Sequence, residues 1–427
     1  MSWKRVVLYR RVSFRKLVQI FVMSSMLILL TNCIYWNEDF VRNVLISLRT
    51  KRQNLFLSVS PSRSEANCSA IFRGDRSETL RAKSLPPRHS IPPFSQSVLA
   101  ARMQCEEFKR SRGYILNATP EELEFPLAFS ILMYKDMDQM ERLLRAIYRP
   151  HNVYCVHVDL KSPISREVAT LLQCFDNVHP ASRRVNVVWG EYSVLEADLI
   201  CMEDLLAHAN WKYFINLTGQ EYPLKTNYQI VQVLKSFKGA NNVAGTLTRY
   251  NENYRRWSAA GPPPRHIRPV MGSVHVLVNR VFVQYAITNP TAKDLLDWVK
   301  QTLIPDETFF PTLNYNAQLG IPGTHTGEPH EEPFPARYKN WDHGLWFYLD
   351  DCQGKYLREI CIVGVGDLPS LTRQKHLFVN KFLGDFEPAA LDCIEEWYFD
   401  TIKKENNGPR HFDTSFYEAM DFVRNKV

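Results

Sequence analysis

The 427-residue sequence has no Cys-x-x-Cys pair, no Gly-x-Gly-x-x-Gly string and no Gly-x-x-x-x-Gly-Lys-Ser/Thr string. The first absence excludes the usual zinc spacings. The other two remove the glycine-rich cradles that hold dinucleotide or nucleoside-triphosphate phosphates at a helix start. The nearest string, Gly364-Val365-Gly366-Asp367, is too short for such a cradle. Acidic residues are missing from the first sixteen positions, which hold Lys4, Arg5, Arg10, Arg11, Arg15 and Lys16. The net charge is +7, yet without those six residues the chain carries 46 basic against 45 acidic residues. A nearly neutral body lacks the basic face that nucleic acid requires. With 45% hydrophobic and 12% aromatic residues, wholesale disorder is excluded too.

Charge of either sign is also missing from Leu17 to Asn37, an apolar run rich in Leu, Ile, Val, Met and Phe. As a helix it reaches about 30 Å, the thickness of one bilayer core. Basic residues precede it, Glu38 and Asp39 follow, and Tyr35 and Trp36 stand where an interfacial aromatic belt belongs. The positive-inside rule makes residues 1–16 a cytoplasmic tail, 17–37 a signal-anchor and the remainder luminal. A cleaved signal peptide is the alternative, but its small-x-small exit is missing near Thr31 to Cys33. Residues 38–120, with the string SLPPRHSIPPF from Ser84 to Phe94, read as a luminal stem, and residues 121–427 as a catalytic domain.

Beyond the apolar run stand Cys68, Cys105, Cys155, Cys174, Cys201, Cys352, Cys361 and Cys393. The even number suits an oxidising compartment, and spacing alone leaves about a hundred pairings open. Asn67 and Asn117 head sequons in or beside the stem and are expected to carry glycans; Asn216 heads a third at the end of a buried strand and is expected to stay bare.

From residue 125 onward, short apolar runs alternate with longer amphipathic ones. Leu127 to Met133, Val153 to Val158, Val185 to Trp189 and Tyr213 to Leu217 read as strands. Met137 to Tyr148, Arg166 to Phe175 and Val194 to Ala209 read as helices between them. Four strands with three crossovers predict an α/β fold with a parallel sheet flanked by helices. Ligands in such sheets gather at strand carboxyl ends, so Asp159 and the segment after Leu217 become site candidates.

Five strings occur in order: RLLRAIYRPHNVYCVHVDLKS (Arg142 to Ser162), NLTGQEYPLKTN (Asn216 to Asn227), IPDE (Ile304 to Glu307), ICIVGVGDL (Ile360 to Leu368) and HLFVNKF (His376 to Phe382). Together they resemble the core-2 and I-branching β-1,6-N-acetylglucosaminyltransferases over about residues 66 to 400. The resemblance implies a GT-A-like mononucleotide-binding sheet in a Golgi type II membrane protein. It implies inverting transfer of GlcNAc from UDP-GlcNAc to the 6-hydroxyl of an O-glycan acceptor, with no metal ion or other cofactor. Glu307 falls on the family's general base, Asp159 on its uracil contact, and Arg358 and Lys381 on the cations that hold the departing diphosphate. Arg256, Trp341 and His343 fall on the acceptor side. The implied disulfides join Cys68 to Cys393, Cys105 to Cys174, Cys155 to Cys201 and Cys352 to Cys361, while Thr218 replaces a further thiol of the family.

Ordinary structural roles compete with several of these residues. Asp136-Met137-Asp138 has an Asp-x-Asp metal spacing, but stands where acids cap a helix. His325, His330, Glu331 and Glu332 could form a metal cluster, yet Gly and Pro surround them. Pro305 followed by two acids is also ordinary helix-start chemistry. The acceptor side departs from the family where His343 replaces a tyrosine and Ala244 follows Asn241-Asn242-Val243, and Pro311 is expected to stop a helix after Glu307. Those departures leave open a different donor, such as UDP-glucose, or a catalytically silent glycan-binding protein.

Overall fold

In the computed structural model the residues described are 64–87, 105–246, 255–329, 334–341 and 352–427. The expected membrane span, 17–37, lies outside them; among the described residues no helix is long and apolar enough to cross a membrane.

Much of the stretch read as a stem is folded. It contributes α1 (Cys68–Phe72), α2 (Arg76–Lys83), α3 (Cys105–Ser111) and α4 (Pro120–Leu123). The Asn67 and Asp75 side chains cap the first two, and Thr119 with Glu122 forms a reciprocal capping box on the fourth. Ala66, Cys68, Ile71 and Ala82 are buried in one cluster with Val363, Leu368, Ala390 and Ile394. Packing of this kind moves the start of the folded head from residue 121 back to the segment beginning at Ser64.

The central sheet follows from the apolar runs. β1 (Leu127–Met133) leads through α5 (Met137–Ile147) to β2 (Val153–Val158), then through α6 (Ser165–Leu172) to β3 (Val178–Pro180). Helix α7 (Tyr192–Leu206) returns the chain to β4 (Tyr213–Thr218). All six residues of β2 are buried, as a strand covered on both faces requires. β3, β2, β1 and β4 run parallel, in that spatial order. Next in the chain come β5 (Glu221–Pro223), α8 (Asn227–Ser236) and β6 (Asn242–Thr246), and then β7 (Met271–Asn279), which pairs antiparallel with both β4 and β6. The sheet is therefore mixed, in the order β3-β2-β1-β4-β7-β6.

The expected strand at Val185 to Trp189 is not one; the pairing partner of β2 is the shorter Val178–Pro180. Alternating Val185, Val187 and Trp189 imitate a strand, but this segment crosses the carboxyl end of β2. There the Val185 carbonyl accepts from Leu160 N and Val185 N donates to His157 Nε2 (3.0 and 3.1 Å). A three-residue edge strand ending in proline is too short to register as a period.

Helices α9 (Arg280–Thr288), α10 (Pro290–Val299) and α11 (Phe309–Asn314) follow β7. Pro311 does not stop α11 but occupies its third position, where a backbone N–H has no acceptor within the helix. The ring sits against β7 at Gly272, where a Cβ would come within 2.7 Å of Pro311 Cγ and 1.8 Å of the Ala244 carbonyl oxygen. Beyond α11 come β8 (Arg337–Tyr338), the hairpin strands β9 (Lys355–Leu357) and β10 (Ile360–Ile362), α12 (Leu368–Leu371), β11 (Phe378–Asn380) and α13 (Pro388–Asn407). A second sheet has the order β5-β11-β8. All four disulfides implied by the resemblance are formed.

Candidate active site

β1 and β2 end side by side. Asp159 N donates to Met133 O (2.9 Å), and the buried Asp159 carboxylate accepts from Lys161 N through Oδ1 (2.9 Å). Arg184 braces this strand end by donating to the carbonyls of Val158 and Asp159 (2.8 and 2.7 Å). Asp136 is the N-cap of α5, its Oδ1 accepting from Gln139 N at 3.0 Å, which gives that acid the helix-start role.

Three cations meet beside this edge. Arg358 stands at the tip of the β9–β10 hairpin, where it and Glu359 both have positive φ (51° and 64°), the geometry of a two-residue turn. The Cys352–Cys361 disulfide closes the base of that hairpin. Lys381 follows β11 through a cis peptide bond after Asn380, and its carbonyl accepts from Val363 N (3.0 Å). Lys135 stands just past β1 on a segment that touches the Lys381 loop, since Gln139 Nε2 donates to Phe382 O (3.1 Å). Burial first, then the charges of Arg358 and Lys135, hold the Lys381 ammonium below the usual lysine range. No ion pair among the described residues neutralises any of the three. Fixed cations that repel one another in this way are suited to an anion.

Glu307 closes a 3₁₀ turn, Pro305–Glu307, that enters through Ile304 in the left-handed region (φ 51°). Leu303 N donates to Arg256 O (2.9 Å) and Ile304 N to Gly190 O (3.1 Å), so the turn is tied on both sides. Trp257 Nε1 donates to Thr308 Oγ1 (3.1 Å) directly behind it. Arg256, expected on the acceptor side, donates from Nη1 to Glu307 Oε2 at 2.6 Å. Only Oε2 is engaged among the described residues, and the half-buried Glu307 side chain keeps its second oxygen for another donor. Asp306 is buried, with Oδ1 lacking a hydrogen-bond partner. Burial, followed by the neighbouring Glu307 charge, pushes it up to about 7. Two adjacent carboxyls are thereby split into a proton-holding buried one and a more exposed one.

The two groups of residues share the second sheet. Glu221 of β5 accepts from Arg337 Nε of β8 (2.9 Å) and Asn380 Nδ2 of β11 (2.8 Å). Trp341, partly exposed, forms a bridge to Ile360 of β10. Asn380 immediately precedes Lys381, and Ile360 lies two residues beyond Arg358. The Glu307 charge reaches Lys339, just past β8, while Arg358 and Lys381 flank β10 and β11. His343 lies outside the described residues, as do His330, Glu331 and Glu332.

His325 is committed elsewhere: Nε2 pairs with Asp421 Oδ2 and Nδ1 accepts from Gly327 N, both at 2.9 Å. Among the described residues, Cys352, Cys361 and Asp367 come close enough to share an ion, but the two sulfurs are bonded to each other. Asn67 and Asn117 are exposed. Asn216 is buried, donating to Asp198 Oδ2 (2.9 Å) and Val274 O (2.8 Å) and accepting from Val276 N (2.8 Å).

Sequence reasoning did not single out Lys135, Glu221, Asp306, Arg337 or Lys339. A usable signal was present for two of them, since Arg337, Lys339 and Trp341 recur at the period of two that places residues on one face of an extended chain.

A mixed α/β head with uncompensated cations beside its strand ends has the architecture of a group-transfer enzyme. Residues 127–372 match the family model described as "Core-2/I-Branching enzyme", and the chain belongs to that family. It is 35% identical over 393 residues to the human (Homo sapiens) beta-1,3-galactosyl-O-glycosyl-glycoprotein beta-1,6-N-acetylglucosaminyltransferase 3, covering 84% of this chain and 86% of that protein. The Ovis aries protein of the same name is 36% identical over 366 residues, covering 79% and 83% of the two chains. A Bovine herpesvirus 4 beta-1,3-galactosyl-O-glycosyl-glycoprotein beta-1,6-N-acetylglucosaminyltransferase is 35% identical over 367 residues, with the same two coverages of 79% and 83%.

Proposed function

We propose that the protein transfers GlcNAc from UDP-GlcNAc to the 6-hydroxyl of a Galβ1,3GalNAc-type O-glycan, forming a β-1,6 bond with inversion and without a metal ion. What supports this reading is the half-free carboxylate of Glu307 together with the uncompensated Arg358–Lys381–Lys135 group beside the end of β1. Glu307 takes the proton of the acceptor 6-hydroxyl as its oxygen bonds to the sugar C1. The C1–O bond to the diphosphate breaks in line, and its electron pair leaves with UDP. Positioned general-base catalysis contributes about 10² to 10⁴-fold. Arg358 and Lys381 meet the charge that grows on the departing diphosphate, the work a divalent ion does in metal-dependent sites. Asp159 receives the uracil at the end of β2, and Trp341 and His343 receive the acceptor.

The names of the relatives support the donor sugar and the linkage. The head takes the GT-A-like arrangement, carried by the 17–37 anchor as a Golgi type II protein with glycans at Asn67 and Asn117. The silent glycan-binding alternative loses one of its motives, because Pro311 is accommodated within α11. Full-length protein in detergent, given a panel of UDP-sugars, the core-1 disaccharide and EDTA, tests the proposal. Transfer from UDP-GlcNAc in EDTA is expected. Turnover only with another UDP-sugar, or only with added metal, overturns it.

A further inference from the structure

Lys339 belongs to none of the roles above. It follows β8 on the face it shares with Arg337 and Trp341, while Tyr338 points the other way and packs its ring against His376 (5.4 Å between centroids). Its half-buried Nζ lies 5.6 Å from the Trp341 ring centroid. Around it stand Glu221, Glu307, Asp306 and Arg337, whose charges all act on it, and burial is the largest influence on its proton. The carboxylates nearby are already served by other donors. Glu221 is held by Arg337 and Asn380, and Glu307 by Arg256. Among the described residues no hydrogen bond or ion pair engages the Lys339 ammonium, which stands near the Trp341 indole and within reach of the Glu307 charge.

An ammonium partly withdrawn from water without a hydrogen-bonding partner is unfavourable, and the position makes sense when a ligand oxygen completes it. The surrounding charges also say which kind of ligand. Arg256, Arg337 and Lys339 stand against Glu221, Glu307 and the buried Asp198, with Asp306 holding its proton, so the pocket is close to neutral before anything binds and does not call for an anion. An aromatic face beside a hydrogen-bond donor matches a neutral pyranose, whose C–H face stacks on the ring while a hydroxyl accepts from the amine.

We propose that Lys339 is an acceptor-specificity residue: with Trp341 it forms a subsite for a neutral sugar of the acceptor, whose ring hydroxyl accepts a hydrogen bond from Nζ while the reacting 6-hydroxyl faces Glu307. This rests on the transferase reading above. The subsite supplies a cationic contact on an acceptor side that otherwise departs from the family pattern at Ala244 and His343.

The test uses full-length enzyme, UDP-GlcNAc and the benzyl glycoside of Galβ1,3GalNAc, together with its monodeoxy analogues. Lys339→Met keeps the aliphatic stem and removes the donors. It is expected to raise the acceptor KM about tenfold or more, the effect of one hydrogen bond to a charged group. The donor KM should stay unchanged. One monodeoxy acceptor should be poor for the wild type yet no poorer than the parent glycoside for Lys339→Met, and Lys339→Arg should recover part of the loss. An unchanged acceptor KM, a fall in kcat alone, or the same deoxy penalty in both enzymes overturns the proposal. If the wild type transfers nothing to the parent glycoside, the functional reading itself has failed, which the wild-type arm shows separately.

Discussion

Arg256 Nη1 and Glu307 Oε2 lie 2.6 Å apart, joining the segment between β6 and β7 to the 3₁₀ turn before α11. The guanidinium fixes one carboxylate oxygen and thereby orients the other. Arg256→Met is expected to lower kcat/KM for the acceptor about 10- to 100-fold, the worth of a charge-assisted hydrogen bond, while UDP affinity stays the same. Steady-state kinetics beside UDP calorimetry check this. A loss of UDP binding would place Arg256 on the donor side instead.

Arg358 and Lys381 should behave as a donor clamp. Lys381→Ala and Arg358→Ala are each expected to weaken UDP binding about tenfold or more, and wild-type affinity should fall as salt rises. Lys381→Arg keeps the charge and should retain most of the affinity. Turnover should be indifferent to EDTA, and a requirement for a divalent ion would return attention to Asp136 and Asp138.

Asp306 ties stability to pH. Its folded carboxyl is pushed up to about 7 by burial and then by Glu307, whereas an unfolded aspartate titrates near 4. Between those values the folded state holds a proton that the unfolded chain has lost. Stability therefore falls as pH rises through this window, and the favourable contribution is complete only below about pH 4. Asp306→Asn should gain on the wild type by about 1–3 kcal/mol on going from pH 5 to pH 8. Thermal or urea melts at both values read this directly, and an identical gap at the two pH values would contradict it.

Covalent chemistry can be mapped on protein from a secretory host. Non-reduced peptide mapping should recover the Cys68–Cys393, Cys105–Cys174, Cys155–Cys201 and Cys352–Cys361 links. Glycopeptides should be found at Asn67 and Asn117, which are exposed, and not at Asn216, whose amide is spent on Asp198 and the Val274 carbonyl. Occupancy at Asn216 would mean that the β4–β7 pairing around it is wrong.

Long apolar runs made β1, β2 and β4 legible, because a fully buried strand leaves a continuous signature while its crossover helices show a single apolar stripe. β3 was missed for the opposite reason: three residues ending in Pro180 carry too little pattern, and the alternation at Val185 to Trp189 was more persuasive than the true edge strand. Antiparallel β6 and β7 join the sheet from beyond the region of clear alternation, so only the parallel half was anticipated. The composition of residues 38–120 suggested a stem, but capped short helices can fold when disulfides and a neighbouring core secure them, as Cys68 and Ile71 do here. At the site, residues of recognisable type and spacing were legible, and the charges of Arg358 and Lys381 do act on one another. Partnerships were not: only three-dimensional placement reveals that Arg256 serves Glu307, that Asp306 is buried, or that Lys339 faces Trp341.

The most direct measurement is single-turnover transfer by Glu307→Gln with UDP affinity determined on the same preparation. If the Glu307 carboxylate accepts the acceptor proton, transfer drops at least about 10²-fold while UDP binds as tightly as to the wild type. A variant that transfers GlcNAc at nearly the wild-type rate would show that the base is another group.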